Sequence, residues 1–330
     1  MAPLEALALE YPLIDSNFRK FCASHGIFTV EDFLVHDLYA LAAFAEQDCS
    51  SDELKQGITQ VLSILDNQHR PWLNGLELLE NAEQKKHLST GCERIDVLLQ
   101  GGLREGHVTE LVGPSSSGKT QICLQAAANV AKKYAGMVVY LDSGNSFSPK
   151  RMAQFLSRSF NPANSEVNQI LERVMSSIMH HSVFDMFTLL DLLHQLLHDF
   201  KSQICCQVRM VIIDSLSSLI SPVLGGGGAH GICSINTIGT SLSSIGHALM
   251  VSAGFLLKEL AHEHNLSVVV TNHMVAGEAG ASKPALGESW KNIPHVRLLL
   301  SRYHVANACC ISILKHPYLE TGKTVEFVIT

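Results

Sequence analysis

One eight-residue segment constrains the fold of this chain more than any other. Residues 113–120 read GPSSSGKT and fit the pattern G-x-x-x-x-G-K-[ST]. An apolar run, Val108–Val112, precedes the segment, and a helical pattern, Lys119–Tyr134, follows it. A glycine-rich turn between a strand and a helix is the setting in which backbone N–H groups wrap a phosphate group. The segment therefore predicts a phosphate-binding loop (P-loop) formed by Gly113, Pro114, Ser115, Ser116, Ser117, Gly118, Lys119 and Thr120.

The last two residues of this P-loop supply a cation and a metal ligand. Lys119 can neutralise the β- and γ-phosphates of a nucleotide, and the Thr120 hydroxyl can coordinate Mg²⁺. The positive N-terminal end of the helix that follows adds further attraction for phosphate. We therefore expect ATP and Mg²⁺ as the cofactors.

A P-loop requires a carboxylate on the far side of the metal ion. The apolar run Met210–Ile213 ends in Asp214, which is the Walker B pattern. Asp214 is therefore predicted as the second residue, after Thr120, that holds the metal ion. Asp142 ends the run Met137–Leu141 and is an alternative candidate. Its other interpretation is a strand-end residue that makes local hydrogen bonds.

Short β-branched runs alternate with longer helical patterns from residue 89 onward. Apolar strands separated by helices are typical of a parallel sheet that is covered on both faces. The sequence therefore predicts an α/β core with a mostly parallel central sheet. Strands are expected at Val108–Val112, Met137–Leu141, Arg209–Ile213, Ser267–Thr271, Val296–Leu300, Ala308–Ile313 and Thr324–Ile329. Helices are expected at Lys119–Tyr134, Pro149–Ser159, Val167–Met175, Phe184–Phe200 and Ala248–His264.

The first 70 residues show apolar positions at helical spacing and no strand pattern. Thr29 precedes a Val-Glu-Asp turn, which is a plausible helix start. We predict a small all-α domain at residues 1–70, a polar linker at 71–88 with a possible short helix at Glu77–Lys86, and the α/β core at 89–330.

The overall composition fits a globular intracellular protein. Of the 330 residues, 46% are hydrophobic and 17% are charged, and the net charge is −7, which argues against a uniformly basic nucleic-acid-binding protein. The nine cysteines show no C-x-x-C spacing, and buried reduced thiols are expected for the pairs Cys205–Cys206 and Cys309–Cys310. The N-terminus lacks a basic leader region, and Ala248–Leu257 is about half of the ~20 residues that a membrane span needs. We therefore expect neither secretion nor membrane association.

Several further segments resemble one family, the eukaryotic and archaeal RecA-like recombinases. The likeness covers residues 89 to about 318 and is most similar to the D-type (delta) recombinase paralogues, which act in DNA repair. The segments that carry it are STG at 89–91, LQGGL at 99–103, GHVTE at 106–110, YLDS at 140–143, Phe147, Arg151, VVTNH at 269–273, KPALGESW at 283–290 and RLLL at 297–300.

The resemblance implies a RecA-like P-loop ATPase core and a nucleotide site that includes Arg151. It further implies a nuclear protein of homologous-recombination repair that acts on single-stranded DNA. Its expected partners are sibling recombinase paralogues of the C type and the X-ray cross-complementing type, in a hetero-oligomer.

Three departures from the family pattern argue against a self-assembling motor. Strand-transfer recombinases carry a Glu two residues after the position of Asp142, where it polarises the attacking water, and here Gly144 stands in its place. Gly144 has no group for proton transfer, so no catalytic base is predicted. His273 replaces a Gln that couples the γ-phosphate to DNA, although it is also explained as a satisfied strand-end residue. The linker also lacks a Phe-x-x-Ala tether for self-polymerisation.

The resemblance implies two DNA-facing loops, one at 224–230 and one that contains Gly277, Gly280, Ser282 and Lys283. Both are rich in glycine and poor in aromatic residues and arginine, so ordinary flexible loops explain them about as well as DNA contact does. Residues 232–246 have no counterpart in the family pattern. We expect them to be a loop insertion, and the alternative is an added strand or helix packed on the sheet.

Three functions compete at this point. The first is an ATP-binding accessory subunit of recombination repair with at most a weak DNA-dependent ATPase. The second is a self-sufficient ATP-dependent strand-exchange recombinase, which Gly144 and the missing tether disfavour. The third is a P-loop kinase or transporter ATPase, which the 89–110 segment disfavours.

Overall fold

The structure is a computed structural model. It describes residues 4–8, 11–29, 31–34, 36–46, 51–68, 74–157, 166–202, 207–223, 238–276, 282–303 and 308–329. The chain divides into two compact units, residues 1–80 and residues 81–330.

The first unit is helical in its described residues. Its elements are α1 (Leu4–Leu7), α2 (Ser16–Ser24), a 3₁₀ turn (Glu31–Leu34), α3 (Leu38–Ala45), α4 (Ser51–Gln68) and the start of α5 (Gly75–Gln84). Asp15 caps α2 by accepting a hydrogen bond from the Phe18 N–H at 2.7 Å, which satisfies one of the orphan donors at the helix start. A separate core, which includes Phe18, Phe33 and Leu54, fills the unit.

The second unit is built on strands that run as follows: β1 (His87–Leu88), β2 (Leu103–Arg104), β3 (Val108–Gly113), β4 (Met137–Asp142), β5 (Ile178–Ser182), β6 (Val208–Asp214), β7 (Ser267–Ala276), β8 (Ser282–Pro284), β9 (Val296–Arg302), β10 (Ala308–Lys315) and β11 (Thr324–Val328). Strands β1 and β2 form a two-stranded antiparallel sheet. The others form a nine-stranded sheet in the described residues, in the order β11-β10-β9-β3-β7-β6-β4-β5 with β8 paired to β7. The run from β9 to β5 is parallel, and β8, β10 and β11 pair antiparallel.

Helices cover both faces of this sheet. They are α6 (Glu93–Leu98), α7 (Lys119–Lys133), α8 (Pro149–Ser157), α9 (Glu166–Ser176), α10 (Met186–Lys201), α11 (Leu216–Ile220), α12 (Ile238–Glu263) and α13 (Gly287–Lys291). Alternate residues of the central strands point to opposite faces, so Val211 and Ile213 enter one core and Met210 and Ile212 enter the other. One core packs against α10 and α12, and the other packs against α6 to α9. The prediction of a mostly parallel sheet with helices on both faces is therefore confirmed.

Two parts of the sequence interpretation need correction. Residues 238–246, expected as part of a loop insertion, form the first turns of α12, which begins ten residues before the expected Ala248. Their Ser, Thr and Gly content lowers helix propensity, yet propensity is a weak prior against tertiary context. Residues 232–237 lie outside the described residues. Strand β5 was not predicted, because its histidines give no apolar run.

The linker region agrees with the expectation in part. Residues 75–84 are helical, close to the short helix expected at Glu77–Lys86, but His87 and Leu88 already pair with β2 in the second unit. Cys309 and Cys310 are buried free thiols, as expected, and Cys205 and Cys206 lie outside the described residues. Among the described helices, none combines the length and the apolar character that a membrane crossing requires.

A candidate nucleotide-binding site

The predicted site residues meet at the carboxyl edge of the parallel sheet. Strands β3, β7, β6 and β4 are consecutive neighbours; β3, β6 and β4 end in Gly113, Asp214 and Asp142, and His273 lies in β7 three residues before its end. Gly113 is in register with His273, and Asp142 is in register with Asp214. The carboxyl ends of parallel strands are where α/β sheets bind ligands, so the strand order itself builds this site.

The P-loop backbone takes up conformations that explain its small residues. Gly118 has φ +102° and precedes α7, and Ser116 has φ +63°. A Cβ on Gly113 would lie 2.5 Å from Ser117 Oγ and 2.6 Å from the Leu300 carbonyl oxygen, so only glycine fits there. The loop therefore turns from strand to helix over a few residues, which brings its N–H groups to the start of α7.

Lys119 is buried beneath the loop. Its ammonium donates to the carbonyl oxygens of Gly113 and Pro114, both at 2.8 Å. Burial lowers the pKa of Lys119, and the Asp214 carboxylate opposes that shift. The buried lysine is thus held at the cleft by two hydrogen bonds to the loop backbone.

Asp214 is held from three sides at the end of β6. Thr271 Oγ1 donates to its Oδ1 at 2.5 Å, and Tyr140 donates its hydroxyl to Oδ2 at 3.0 Å. Ser146 Oγ lies 3.5 Å from the same Oδ2. Sequence reasoning missed the Thr271 and Tyr140 contacts, because strand residues of neighbouring strands become partners only once the sheet order is known.

Asp142, the alternative candidate, has a different role. Its carboxylate accepts hydrogen bonds from the backbone N–H groups of Gly144 at 3.0 Å and Phe147 at 2.8 Å, and from Ser146 Oγ at 3.2 Å. It is fully buried and also lies 3.6 Å from the His180 ring nitrogen. Asp142 therefore closes the loop between β4 and α8, which agrees with the second of its two interpretations.

A cleft of about 560 Å³ opens above the P-loop. Its lining includes Ser115, Ser116, Ser117, Gly118, Lys119, Thr120, Arg151, Asp214 and His273 from the sequence interpretation. It also includes Gln121, Arg302, Cys309 and Ile329, which no motif indicated. Gly113 and Pro114 contribute the carbonyl groups that hold Lys119. Arg302 comes from the end of β9, which is parallel to β3, whereas Cys309 lies at the start of the antiparallel strand β10 and Ile329 follows β11. Their approach to the P-loop therefore depends on the order of the strands in the sheet.

Arg151 reaches the cleft from α8. Its Nε donates to Gln121 Oε1 at 2.7 Å and its NH1 donates to Gln154 Oε1 at 2.8 Å. Its guanidinium carbon lies 4.5 Å from the centre of the Phe155 ring, within cation–π range. The side chain is therefore a pre-oriented planar cation at the mouth of the cleft.

His273 links the cleft to the start of α11. Its Nε2 lies 3.2 Å from Ser215 Oγ, and its backbone N–H donates to Ser217 Oγ at 3.1 Å. Burial is the main cause that lowers its pKa, followed by the charge of Lys119, with Asp214 opposing. His273 is thus a hydrogen-bonded residue of β7 that also lines the cleft, and its lowered pKa favours the neutral form.

Gly144 lies exposed in the loop between β4 and α8. A Cβ built there would meet only Ser146 Oγ, at 4.0 Å. The local backbone would accept a larger side chain at this position. Steric crowding therefore does not explain why residue 144 carries no carboxylate.

Comparison with known proteins identifies the family. The family model described as Rad51 matches residues 82–296. The chain belongs to the Rad51 family. It is 32% identical over 94% of its length to DNA repair protein RAD51 homolog 4 of Bos taurus, 90% of which is covered. It is 28% identical over 67% of its length to DNA repair protein XRCC3 of Mus musculus, covering 65% of that protein.

A solved structure supports the fold. The crystal structure of the RadB recombinase matches with a TM-score of 0.56 at 23% identity, over 74% of this chain and 96% of that one. The expected RecA-like core and the likeness to recombinase paralogues of DNA repair are therefore confirmed. Residues 224–230, Gly277 and Gly280 of the two expected DNA-facing loops lie outside the described residues, while Ser282 and Lys283 belong to β8.

Proposed function

We propose that this protein is an ATP-binding accessory subunit of homologous-recombination DNA repair that assists the main recombinase on single-stranded DNA. The main support is that the cleft has well-held residues for binding a nucleotide but lacks the residue expected to activate water. Lys119 and Asp214 are both buried and firmly held, while Gly144 offers no side chain to the same region. A site of this kind suits binding better than turnover, which is what a conformational clamp between subunits requires.

The cleft fits a magnesium nucleotide. Thr120 and Asp214 would hold Mg²⁺, and Lys119 would meet the β- and γ-phosphates. Ser117 Oγ is buried and has no hydrogen-bond partner among the described residues, so the loop retains a polar atom that a phosphate group would satisfy. A bound Mg²⁺ would neutralise phosphate charge, and Arg151 would cover the rest of the nucleotide at the mouth of the cleft.

Hydrolysis should be slow. Loss of a general base typically costs a factor of roughly 10²–10⁴ in rate. Neither Asp142, which is fully buried and bonded to its own loop, nor the neutral His273 is free to replace that base. We therefore infer at most a weak DNA-dependent ATPase.

The family relationship supports a nuclear hetero-oligomer. Relatives such as RAD51 homolog 4 and XRCC3 are named as DNA repair proteins. We propose that this chain joins sibling paralogues of the C type and the X-ray cross-complementing type. Its helical unit and its ATPase core would each offer a binding face.

Co-purification of the tagged full-length chain with these siblings, with and without ATP, tests the proposal. We expect capture of at least one sibling and stronger capture with ATP. Lys119→Ala should lose the ATP dependence, and Lys150→Ala, an exposed lysine on α8, is the matched control. Self-filaments with brisk DNA-stimulated ATP hydrolysis and no need for a sibling would instead establish the self-sufficient recombinase.

A further inference from the structure

A short segment at the start of α8 carries a pattern that the nucleotide site does not use. Residues 148–151 read Ser-Pro-Lys-Arg. Proline-directed protein kinases modify a serine that directly precedes a proline, and many of them favour a basic residue at the third position after that serine. Ser148, followed by Pro149 and with Arg151 at the third position, meets both requirements. The segment therefore has the chemistry of a kinase substrate.

The pattern occurs once in this chain. Of the ten prolines in the sequence, two follow a serine and none follows a threonine. The other Ser-Pro pair, Ser221-Pro222, is followed by Val223 and Leu224, so it has no basic residue at the third position. Ser221 is exposed and thus provides an internal control for a serine that precedes a proline without the rest of the pattern.

The segment faces solvent. Residues 144–146 are exposed, Ser148 is half-buried, and Pro149 and Lys150 are exposed. Asp142 holds the loop from the inside by accepting a hydrogen bond from the Phe147 N–H at 2.8 Å. An enzyme that approaches from solvent therefore meets Ser148 within an accessible stretch that is anchored at its base.

Ser148 is the N-cap residue of α8. Its carbonyl oxygen accepts a hydrogen bond from the Met152 N–H at 3.1 Å, and its Oγ accepts one from the Arg151 N–H at 3.3 Å. Pro149 begins the helix, which is a position that suits proline. A phosphate group on an N-cap serine is stabilised by the N–H groups and by the positive end of the helix dipole. Phosphorylation of Ser148 is therefore compatible with the folded helix.

The same turn of α8 reaches the nucleotide cleft. Arg151 lines the cleft and lies about 4.5 Å further along the helix axis than Ser148. Its guanidinium already donates to Gln121 and Gln154, so the effect expected here does not depend on a new ion pair with it. A phosphate adds a charge of about −1.5 to −2 at pH 7, and salt screens charges only beyond about 8–10 Å. A charge on Ser148 would therefore be felt by a polyanionic nucleotide in the cleft.

We propose that Ser148 is a phosphorylation site for proline-directed kinases and that its phosphate weakens nucleotide binding in the adjacent cleft. In the modification, Ser148 Oγ attacks the γ-phosphorus of the ATP that the kinase holds. The new Oγ–P bond replaces the bond between that phosphorus and the β–γ bridging oxygen, ADP leaves, and the hydroxyl proton passes to a base of the kinase. The second part rests on the proposed function, because it requires that the cleft binds ATP.

Phosphate mapping tests the modification by itself. The full-length chain would be incubated with a cyclin-dependent kinase, which is a proline-directed kinase, and with Mg²⁺ and ATP, and the modified residues would be mapped by mass spectrometry. We expect phosphate on Ser148. Ser148→Asn, which retains an N-cap residue, and Pro149→Ala, which retains the serine, should both abolish it. Ser221→Ala should leave it unchanged. No phosphate on Ser148, or modification that persists in Pro149→Ala, would overturn the proposal.

Equilibrium binding of a labelled ATP analogue with Mg²⁺ tests the consequence. After removal of the kinase and its ATP, the phosphorylated chain should bind the analogue about fivefold more weakly than the unmodified chain. The difference should shrink as salt is raised, because the effect is a screened repulsion. Ser148→Asp and Ser148→Asn form a matched pair, since both side chains cap a helix and only the first is charged. Ser148→Asp should bind about twofold more weakly than Ser148→Asn.

The two parts of the proposal fail in different ways. Equal affinity of the phosphorylated and unmodified chains, or of Ser148→Asp and Ser148→Asn, would show that Ser148 only caps α8 and would overturn the effect on the cleft. Failure of the unmodified chain to bind the analogue would instead overturn the proposed function. The mapping of phosphate on Ser148 would still decide whether the modification site exists.

Discussion

The two edges of the central sheet are built by the same strands but hold charge in opposite ways. At the carboxyl edge, the buried Lys119 and Asp214 carry opposite charges, and hydrogen bonds hold both. At the amino edge, His107 and His295 stack on each other, and burial lowers the pKa of both rings, so they are neutral. The first arrangement suits the proposed ligand, a nucleotide that brings its own metal ion and phosphates. The second keeps two titratable rings in their neutral form at the start of adjacent strands.

Lys119→Ala tests the carboxyl edge most severely. The variant should bind ATP at least about 100-fold more weakly, since a charge-assisted contact to phosphate is lost and the buried loop carbonyls lose their donor. The measurement is equilibrium binding of a labelled ATP analogue in the presence of Mg²⁺. Lys150→Ala controls for the loss of a nearby positive charge, and equal affinity of Lys119→Ala and the natural protein would refute the P-loop assignment.

Gly144→Glu tests whether the same edge lacks only a base. The position is exposed and its Cβ direction is open, so the glutamate can be accommodated without displacing the loop. We expect ATP turnover to rise roughly 10- to 100-fold, part of the 10²–10⁴ that a general base contributes. Gly144→Gln is the matched control, with the same length and no base. Equal turnover of the two variants would show that the site is incomplete for another reason.

Much of the carboxyl edge could be predicted because its residues are adjacent in sequence. The P-loop is one contiguous motif, and Asp214 ends an apolar strand, so both carry a local signal. The central strands β3, β4, β6 and β7 also carry a local signal, because continuous apolar runs mark strands that are buried on both faces. Arg302, Cys309 and Ile329 gave no such signal, because the pairing of β9 with β3 and the antiparallel return of β10 and β11 bring them to the cleft.

The amino edge escaped sequence analysis altogether. His107 and His295 are 188 residues apart, and each is a single residue before a strand. Their proximity follows from β3 and β9 being neighbours, which a list of strands does not reveal. The start of α12 was missed for a related reason: Ser, Thr and Gly residues disfavour a helix locally, and the structure extends one through them.

Acid should destabilise the amino edge. The folded-state pKa values of His107 and His295, about 3 and about 4, lie below the ordinary 6.5. Below about pH 6.5 the unfolded chain therefore binds more protons, and the free energy of unfolding falls until the folded values are reached. Between pH 7 and 5.5 the loss should be about 1 kcal/mol for each ring.

Denaturant unfolding at pH 7 and pH 5.5 measures that loss. His107→Phe keeps a ring against His295 and cannot titrate, so it should lose about 1 kcal/mol less stability on acidification than the natural protein. Comparing the two proteins removes the contribution of the other histidines, such as His273, whose pKa is also lowered by burial. An identical acid-induced loss in both would mean that the pair is not buried in the neutral form.

The smallest expected effect concerns how Asp214 is held at the carboxyl edge. Thr271→Val keeps the shape of a fully buried side chain and removes the hydroxyl that donates to Oδ1. Tyr140→Phe removes the donor to Oδ2, and Ser146→Ala removes a contact at 3.5 Å. Each of the first two should lower the free energy of unfolding by about 1 kcal/mol and weaken Mg²⁺-dependent nucleotide binding a few-fold, while Ser146→Ala should do little.

The combination of the two strong variants is more informative than either alone. Thr271 and Tyr140 donate to different oxygens of the Asp214 carboxylate. Either hydroxyl alone can still orient this buried charge, whereas the double variant removes both donors. Residues that share a partner couple, and the double variant should lose more stability than the sum of the single losses. Loss of Mg²⁺-dependent binding without any coupling in stability would mean that the two hydroxyls act separately. Single variants with unchanged stability and unchanged binding would show that Asp214 is positioned by its strand and not by these hydrogen bonds.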